Sequence, residues 1–323
     1  LRRNLFNTWL NSLLTIACLG LLYQGITGVV SWVTTKAQWS VVSTNLQLFL
    51  IGRYPGNQSW RIWAALAIAI SVPGLWFWAR QKSNKIGLAI VAVCLLPFAF
   101  LLCLWLIGGG FGLASVPTSL WGGLMLTLLV ALVSIVLAFP LGVLFALGRQ
   151  DSLPVVRGIC TLYIELIRGL PLIGILFMAN NMLPLILPSQ WQLDRVVRAI
   201  AGLALFNAAY LAENVRGGLQ AIPRGQVEAA KALGLNPLLT SGLVVLPQAI
   251  RIVIPAIVGQ FISLFKDTSL LSLFALVELT GISRSILSQP QFLGRYAEVY
   301  LFIGLLYWTF CYTMSLISRK LER

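Results

Sequence analysis

The sequence predicts an all-α integral membrane protein of about eight transmembrane helices, and two observations carry that prediction. Of the 323 residues, 59% are hydrophobic and only 10% are charged, with a mean hydropathy of +0.89. A water-soluble domain of this length cannot hide so much apolar surface. In addition, residues 8–33, 86–107, 120–147 and 299–317 contain no Asp, Glu, Lys or Arg, and each reaches the roughly 20 apolar residues that a bilayer-spanning helix needs.

In chain order, 8–33 comes first. Arg2 and Arg3 precede it as they would a secretion signal, but its apolar part far exceeds the roughly 7–15 residues of such signals, so it reads as a retained anchor. The first residue is Leu, so a short leader is expected ahead of it. Spans 62–79 and 86–107 follow, joined by a tight loop carrying Arg80, Lys82 and Lys85, and then 120–147. The fifth, 155–187, is interrupted by Arg157, Glu165 and Arg168, and Gly169 and Pro171 should loosen it. Spans 196–212 and 244–265, the latter containing Arg251, precede the last at 299–317.

An even number of spans puts both termini on one side, and the side richer in Lys and Arg faces the cytoplasm. Cytoplasmic termini place Arg2, Arg3, Arg80, Lys82, Lys85, Arg149, Arg157, Arg216, Arg224, Lys231, Arg319, Lys320 and Arg323 inside, more cations than the outer segments carry. Residues 40–61 then lie outside. Residues 266–289 mix apolar side chains with Lys266, Asp267, Glu278 and Arg284, so a partial or re-entrant helix shielded by protein is expected there. Asp267 is expected to cap a helix, with Thr268 and Ser269 following.

Composition also excludes functions. The net charge of +14 is dispersed over short loops rather than gathered into a run, which argues against a nucleic-acid partner. The five cysteines lie in apolar segments without metal or disulfide spacing, and there is no His. No Lys follows a Gly, so the chain carries no Walker A phosphate-binding motif. A membrane-embedded enzyme would lack a nucleophile signature. An ion-coupled secondary transporter is the alternative, but no internal repeat supports it.

The most informative stretch is 213–241, long, comparatively polar and punctuated by glycines, on the side assigned to the cytoplasm. Within it stands Glu-Ala-Ala-Lys-Ala-Leu-Gly, residues 228–234. Residues 226–233 are good helix formers, Gly234 is a stop, and Asn236-Pro237 starts a second helix. Ala229, Ala230 and Ala232 leave a face that another surface can approach closely, and Glu228 and Lys231 can pair one turn apart.

This segment resembles the EAA loop of binding-protein-dependent ABC importer permeases: Glu-Ala-Ala, three residues, Gly, nine residues, an aliphatic, any residue, Leu-Pro. Glu228, Ala229, Ala230, Gly234, Val244, Leu246 and Pro247 fill every position. Trp121 to Leu132, Tyr163 to Leu172 and Ala208 to Ile222 are similar to stretches of polar amino-acid permeases, and Lys266 to Gly281 to the general L-amino-acid branch. Leu170 departs from the small polar residue more usual in the Arg-Gly-x-Pro-Leu motif.

The resemblance implies a type I ABC importer transmembrane domain at 116–323, preceded at 1–115 by additional helices. It also implies a multi-pass bacterial inner-membrane subunit with no cofactor of its own, ATP and Mg being bound by a partner ABC ATPase dimer. The further partners it implies are a second, homologous permease forming a heterodimer, a periplasmic substrate-binding protein, an amino-acid substrate and membrane lipid.

A zwitterionic substrate needs donors and acceptors in a wet cavity, and charged or polar groups at membrane depth are the candidates. Glu165, Arg168, Asn180, Asn207, Gln260, Lys266 and Glu278 are such groups. Each also has a structural reading: Glu165 and Arg168 can neutralise one another, and the amides can bond between helices.

Overall fold

The structure, a computed structural model, describes residues 5–81, 86–188, 190 and 192–321. Loop residues 82–85 and the extreme termini, to which the sequence assigns a cytoplasmic position, lie outside the described residues. The principal helices are α1 (Trp9–Ser31), α2 (Trp60–Gln81), α3 (Ile86–Gly108), α4 (Gly123–Arg149), α5 (Pro154–Gly169), α6 (Leu172–Phe177), α7 (Arg195–Gln220), α8 (Arg224–Ala232), α9 (Leu246–Asp267), α10 (Leu279–Leu287) and α11 (Tyr296–Leu321). The segments read as spans are largely helical, the fifth being broken at Leu170 and Pro171, but among the described residues the expected count of eight is not reached by length and composition. Among the described residues, five helices are long and apolar enough to cross a membrane, or up to six if the bent pair Pro154–Gly169 and Leu172–Ile186 is one span.

That pair turns through 104° at Leu170 and Pro171, both extended. Pro171 explains the break: its ring disfavours helix at the preceding residue, and it brings no N–H to continue the ladder. The interruption expected around Gly169 and Pro171 is therefore a sharp corner.

α7 lies at the centre, packed against α4, α9 and α5. Its contacts are made by small residues, the usual means of bringing helices close in a bilayer. Ala138, Ala204, Ala208 and Leu211 are buried together with Ile257. A Cβ on Gly142 would meet Leu211 at 2.7 Å, and one on Gly218 would meet the Ala249 carbonyl at 2.5 Å. Large apolar side chains such as Trp9, Leu21, Ile70, Phe98, Leu144 and Trp308 point outward, a surface that hydrocarbon solvates and water does not.

The segment joining α1 to α2 is built into the core. Val41 and Phe49 are buried with Leu124, Leu279, Ile282 and Val299. The Tyr54 hydroxyl donates to the Ile107 carbonyl at 2.9 Å, and Arg61 Nη1 donates to the Ala114 carbonyl at 2.7 Å.

Gly123, at φ +61°, starts α4 where a Cβ would lie 2.5 Å from the Phe49 carbonyl oxygen. Gly123→Ala combines a left-handed backbone with that clash and is expected to cost about 2 kcal/mol or more. Thermal unfolding of the purified protein in detergent measures it; an unchanged melting temperature would contradict the packing.

Candidate functional site

The segment singled out by the sequence folds as expected. α8 ends in a Schellman turn: the Leu235 N–H donates to the Ala230 carbonyl at 3.2 Å and the Gly234 N–H to that of Lys231 at 2.9 Å. Gly234 takes φ +81°, the left-handed conformation glycine adopts without a Cβ penalty. The Asn236 side chain then caps the turn Pro237–Leu239 by accepting the Leu239 N–H at 2.8 Å. Thr240 is buried and reaches back to the Leu235 carbonyl at 3.4 Å.

The outward surface of this segment mixes charged and apolar side chains. Ala230 is buried, but Ala229 and Ala232 are exposed, and Leu233 and Leu238 are each 82% exposed. Glu228 and Lys231, which the sequence allowed to pair, are exposed and form no ion pair with each other. Leu246 and Pro247 form the first turn of α9. The segment hangs between the last turn of α7 and a π-helical stretch, Thr240–Val245, that leads into α9.

The pairing expected for Glu165 and Arg168 does not form. Glu165 Oε1 accepts from Arg149 Nη2 at 2.7 Å, while Arg168 Nη1 lies 3.5 Å from Glu213 Oε2. The corner at Pro171 explains the exchange, because α5 brings both residues against the ends of α4 and α7 rather than into the middle of a straight span. Glu213 is the hub: it also bonds to Arg149 and accepts two-pronged bonds from Arg216, whose Nη2 lies at 2.8 Å. Arg168 also stands over the Tyr210 ring, 5.6 Å from its centroid.

Sequence reading missed this hub. Arg149 and Arg216 were counted as loop cations and Glu213 as a loop boundary, although Glu213 and Arg216 at i, i+3 were a visible signal.

Exposure separates the two carboxylates. The Glu165 side chain is 56% exposed and that of Glu213 only 16%. Glu165→Gln is therefore expected to cost under about 1 kcal/mol of stability, the scale of exposed ion pairs. Denaturation of the detergent-solubilised variant checks it; a loss as large as that of Glu213→Gln would contradict the partition.

The remaining candidates divide. Asn207 is buried, donates to the Leu203 carbonyl at 2.9 Å and accepts from Gln260 Nε2 at 2.7 Å, so these two amides join α7 to α9. Asn180 is buried in a π-turn, Met178–Met182, donates to the Leu176 carbonyl at 3.1 Å, and leaves Oδ1 without a partner. Lys266 is exposed. Asp267 does not cap: the helix continues into Thr268–Phe274 with no side-chain bond from it. Continuation replaces the cap because the chain never leaves helical backbone there.

Glu278 does the capping instead. Fully buried, it accepts the Thr280 and Gly281 N–H groups at 2.8 and 2.9 Å and faces the Tyr307 hydroxyl at 3.3 Å. Among the described residues, no cluster of His, Cys, Asp or Glu could hold a metal ion.

The profile of the binding-protein-dependent transport system inner membrane component matches residues 138–323. The chain is similar to the inner membrane amino-acid ABC transporter permease protein YhdY of Escherichia coli (strain K12), 42% identical over 339 residues, covering 100% of this chain and 91% of that one. It is 34% identical over 346 residues to the glutamate/glutamine/aspartate/asparagine transport system permease protein BztC of Rhodobacter capsulatus, covering 90% of this chain and 79% of that one. A solved structure described as an amino acid ABC transporter with histidines matches with a TM-score of 0.56 at 30% identity, over 62% of this chain and 91% of that one.

Proposed function

The chain belongs to the family of binding-protein-dependent transport system inner membrane components, and on that premise we propose that it is the permease subunit of an ATP-driven ABC importer that brings amino acids across the inner membrane. The observation that carries the reading is the Arg224–Leu239 turn, held shut by its Schellman stop and Asn236 cap and presenting Leu233, Leu238 and small alanines outward. Two leucines this exposed, on a turn flanked by charged residues at the end of a bundle, fit a protein groove. Glu228, Ala229, Ala230, Gly234, Leu246 and Pro247 form or frame the piece that docks on a separate ATPase dimer, which binds ATP and Mg.

The force path follows from connectivity. Movement of the docked turn reaches α7 through the short link Ala221–Pro223 and α9 through Thr240–Val245. Those helices meet at Gly218 and Ala249 and share the Asn207–Gln260 bond, so motion at the ATPase is delivered to a polar pair inside the bundle. The substrate path runs past that pair, beside the α5–α6 corner and the Lys266–Glu278 stretch, with Glu165, Arg168 and Asn180 along it. A second, homologous permease completes the path, and a periplasmic binding protein supplies the substrate. Both termini face the cytoplasm.

Replacing Leu233 and Leu238 together by Asp tests the docking surface without touching the core, since both are exposed. The variant is expected to reach the membrane normally and to lose at least about tenfold of the co-purifying ATPase, the effect of about 1.4 kcal/mol of lost interface. Undiminished co-purification would contradict the assignment.

A further inference from the structure

At the end of α7 opposite the docking turn, some 39 Å away by the rise of a 26-residue helix, the bundle opens into a cavity of about 440 Å³ lined by Thr118, Trp121, Asp194, Arg195, Arg198 and the backbone at Ala275. Its charge is lopsided in use as well as in number. The one carboxylate in the lining already accepts at both oxygens: Asp194 Oδ2 accepts the Thr118 hydroxyl at 2.6 Å and Oδ1 accepts the Val196 N–H at 2.8 Å.

The two guanidiniums are far from saturated. Each presents five N–H groups. Arg195 makes one long bond, 3.4 Å from Nη1 to the Ala275 carbonyl. Arg198 donates from Nη1 to the Asn180 carbonyl at 2.8 Å, while its Nε is buried with no partner. An unsatisfied buried donor is uncommon and calls for a missing acceptor.

From this geometry we infer that the cavity receives the α-carboxylate of the incoming amino acid, with Arg195 and Arg198 as its donors; the inference rests on the importer reading above. Guanidinium forks match a carboxylate in pairs of parallel bonds. Trp121, Val196, Leu276 and Val277 add apolar residues to the wall, and Ser119 adds a hydroxyl. The cavity therefore reads the group all amino acids share and leaves the variable side chain toward the open mouth. It is a receiving site at the outer face, separate from the Asn207–Gln260 pair deeper in the bundle.

The test uses the complete importer in nanodiscs without its binding protein, with a ¹⁴C-labelled mixture of the proteinogenic L-amino acids as probe. The wild type is expected to bind members of the mixture in competition with glycine and not with glycinamide, which lacks the carboxylate. Arg195→Gln changes an exposed side chain and is expected to weaken binding about tenfold, the value of one charge-assisted bond pair. Adding Arg198→Gln is expected to abolish binding, and Arg195→Lys to retain part of it.

Binding unchanged in Arg195→Gln, or equal competition by glycinamide, overturns the cavity assignment, while ATP-driven uptake by the wild type in proteoliposomes supplied with its binding protein leaves the importer reading standing. Absence of ATP-driven uptake of every member of the mixture overturns that reading and this inference with it.

Discussion

Gly234→Val is expected to cut ATP-driven uptake about tenfold or more without reducing the amount of protein in the membrane. The reason is conformational rather than steric. Gly234 holds φ +81° with open space where a Cβ would stand, so the substituent clashes with nothing, but a β-branched residue in left-handed backbone costs of order 1–3 kcal/mol. That energy is comparable with what holds the Schellman stop closed, and the turn of Asn236 and Pro237 loses its fixed direction when the stop opens. Gly234→Asn supplies the control, because Asn tolerates this region, and uptake within about twofold of the parent is expected from it. Equal loss in both variants would mean that bulk, not backbone conformation, matters at this position.

The second large effect belongs to Glu213. Glu213→Gln removes the carboxylate shared by Arg149, Arg168 and Arg216 and leaves the three cations at the junction of α4, α5 and α7 with only Glu165, on Arg149, to balance them. Breaking a fully buried pair costs about 3–5 kcal/mol, and the 16% exposure of Glu213 lowers the expectation here to about 2–3 kcal/mol. Removing one cation as well should recover part of the loss, so the double variant Glu213→Gln with Arg216→Gln is expected to melt above the single. Thermal unfolding of the parent, the two singles and the double measures the coupling directly. A double variant no more stable than Glu213→Gln alone would mean that the arginines do not repel across the gap.

Much of the fold was legible because a bilayer imposes a crude and strict code. Charge-free stretches such as 86–107 and 120–147 had one reading, and Gly234 with Asn236-Pro237 spelled out a helix stop and restart that the structure shows at those residues. What the sequence hid was partner choice between distant segments. Glu165 and Arg168 looked paired because they stand one turn apart, yet the corner at Pro171 turns both toward residues on other helices, Arg149 and Glu213.

Capping misled in the same way. Asp267 had the local pattern of a cap, but helical backbone passes from α9 straight on into Thr268–Phe274, while Glu278, with no such pattern, was free to cap because Ala275 takes φ +56° and resets the chain direction just before it. The candidate path residues Asn207 and Gln260 were named as single groups. Only packing of α7 on α9 through Gly218 makes them a bonded pair.

Docking of the Arg224–Leu239 turn on an ATPase is tested most directly by a single cysteine at Leu238 in a chain freed of its five native cysteines, assembled with the ATPase that carries one cysteine in its surface groove. Oxidation is expected to cross-link the two subunits and stop ATP-driven amino-acid uptake into proteoliposomes, and reduction to restore both free subunits and uptake. Uptake that continues unchanged while the ATPase shows no cross-link at any groove position would contradict the docking role of this turn.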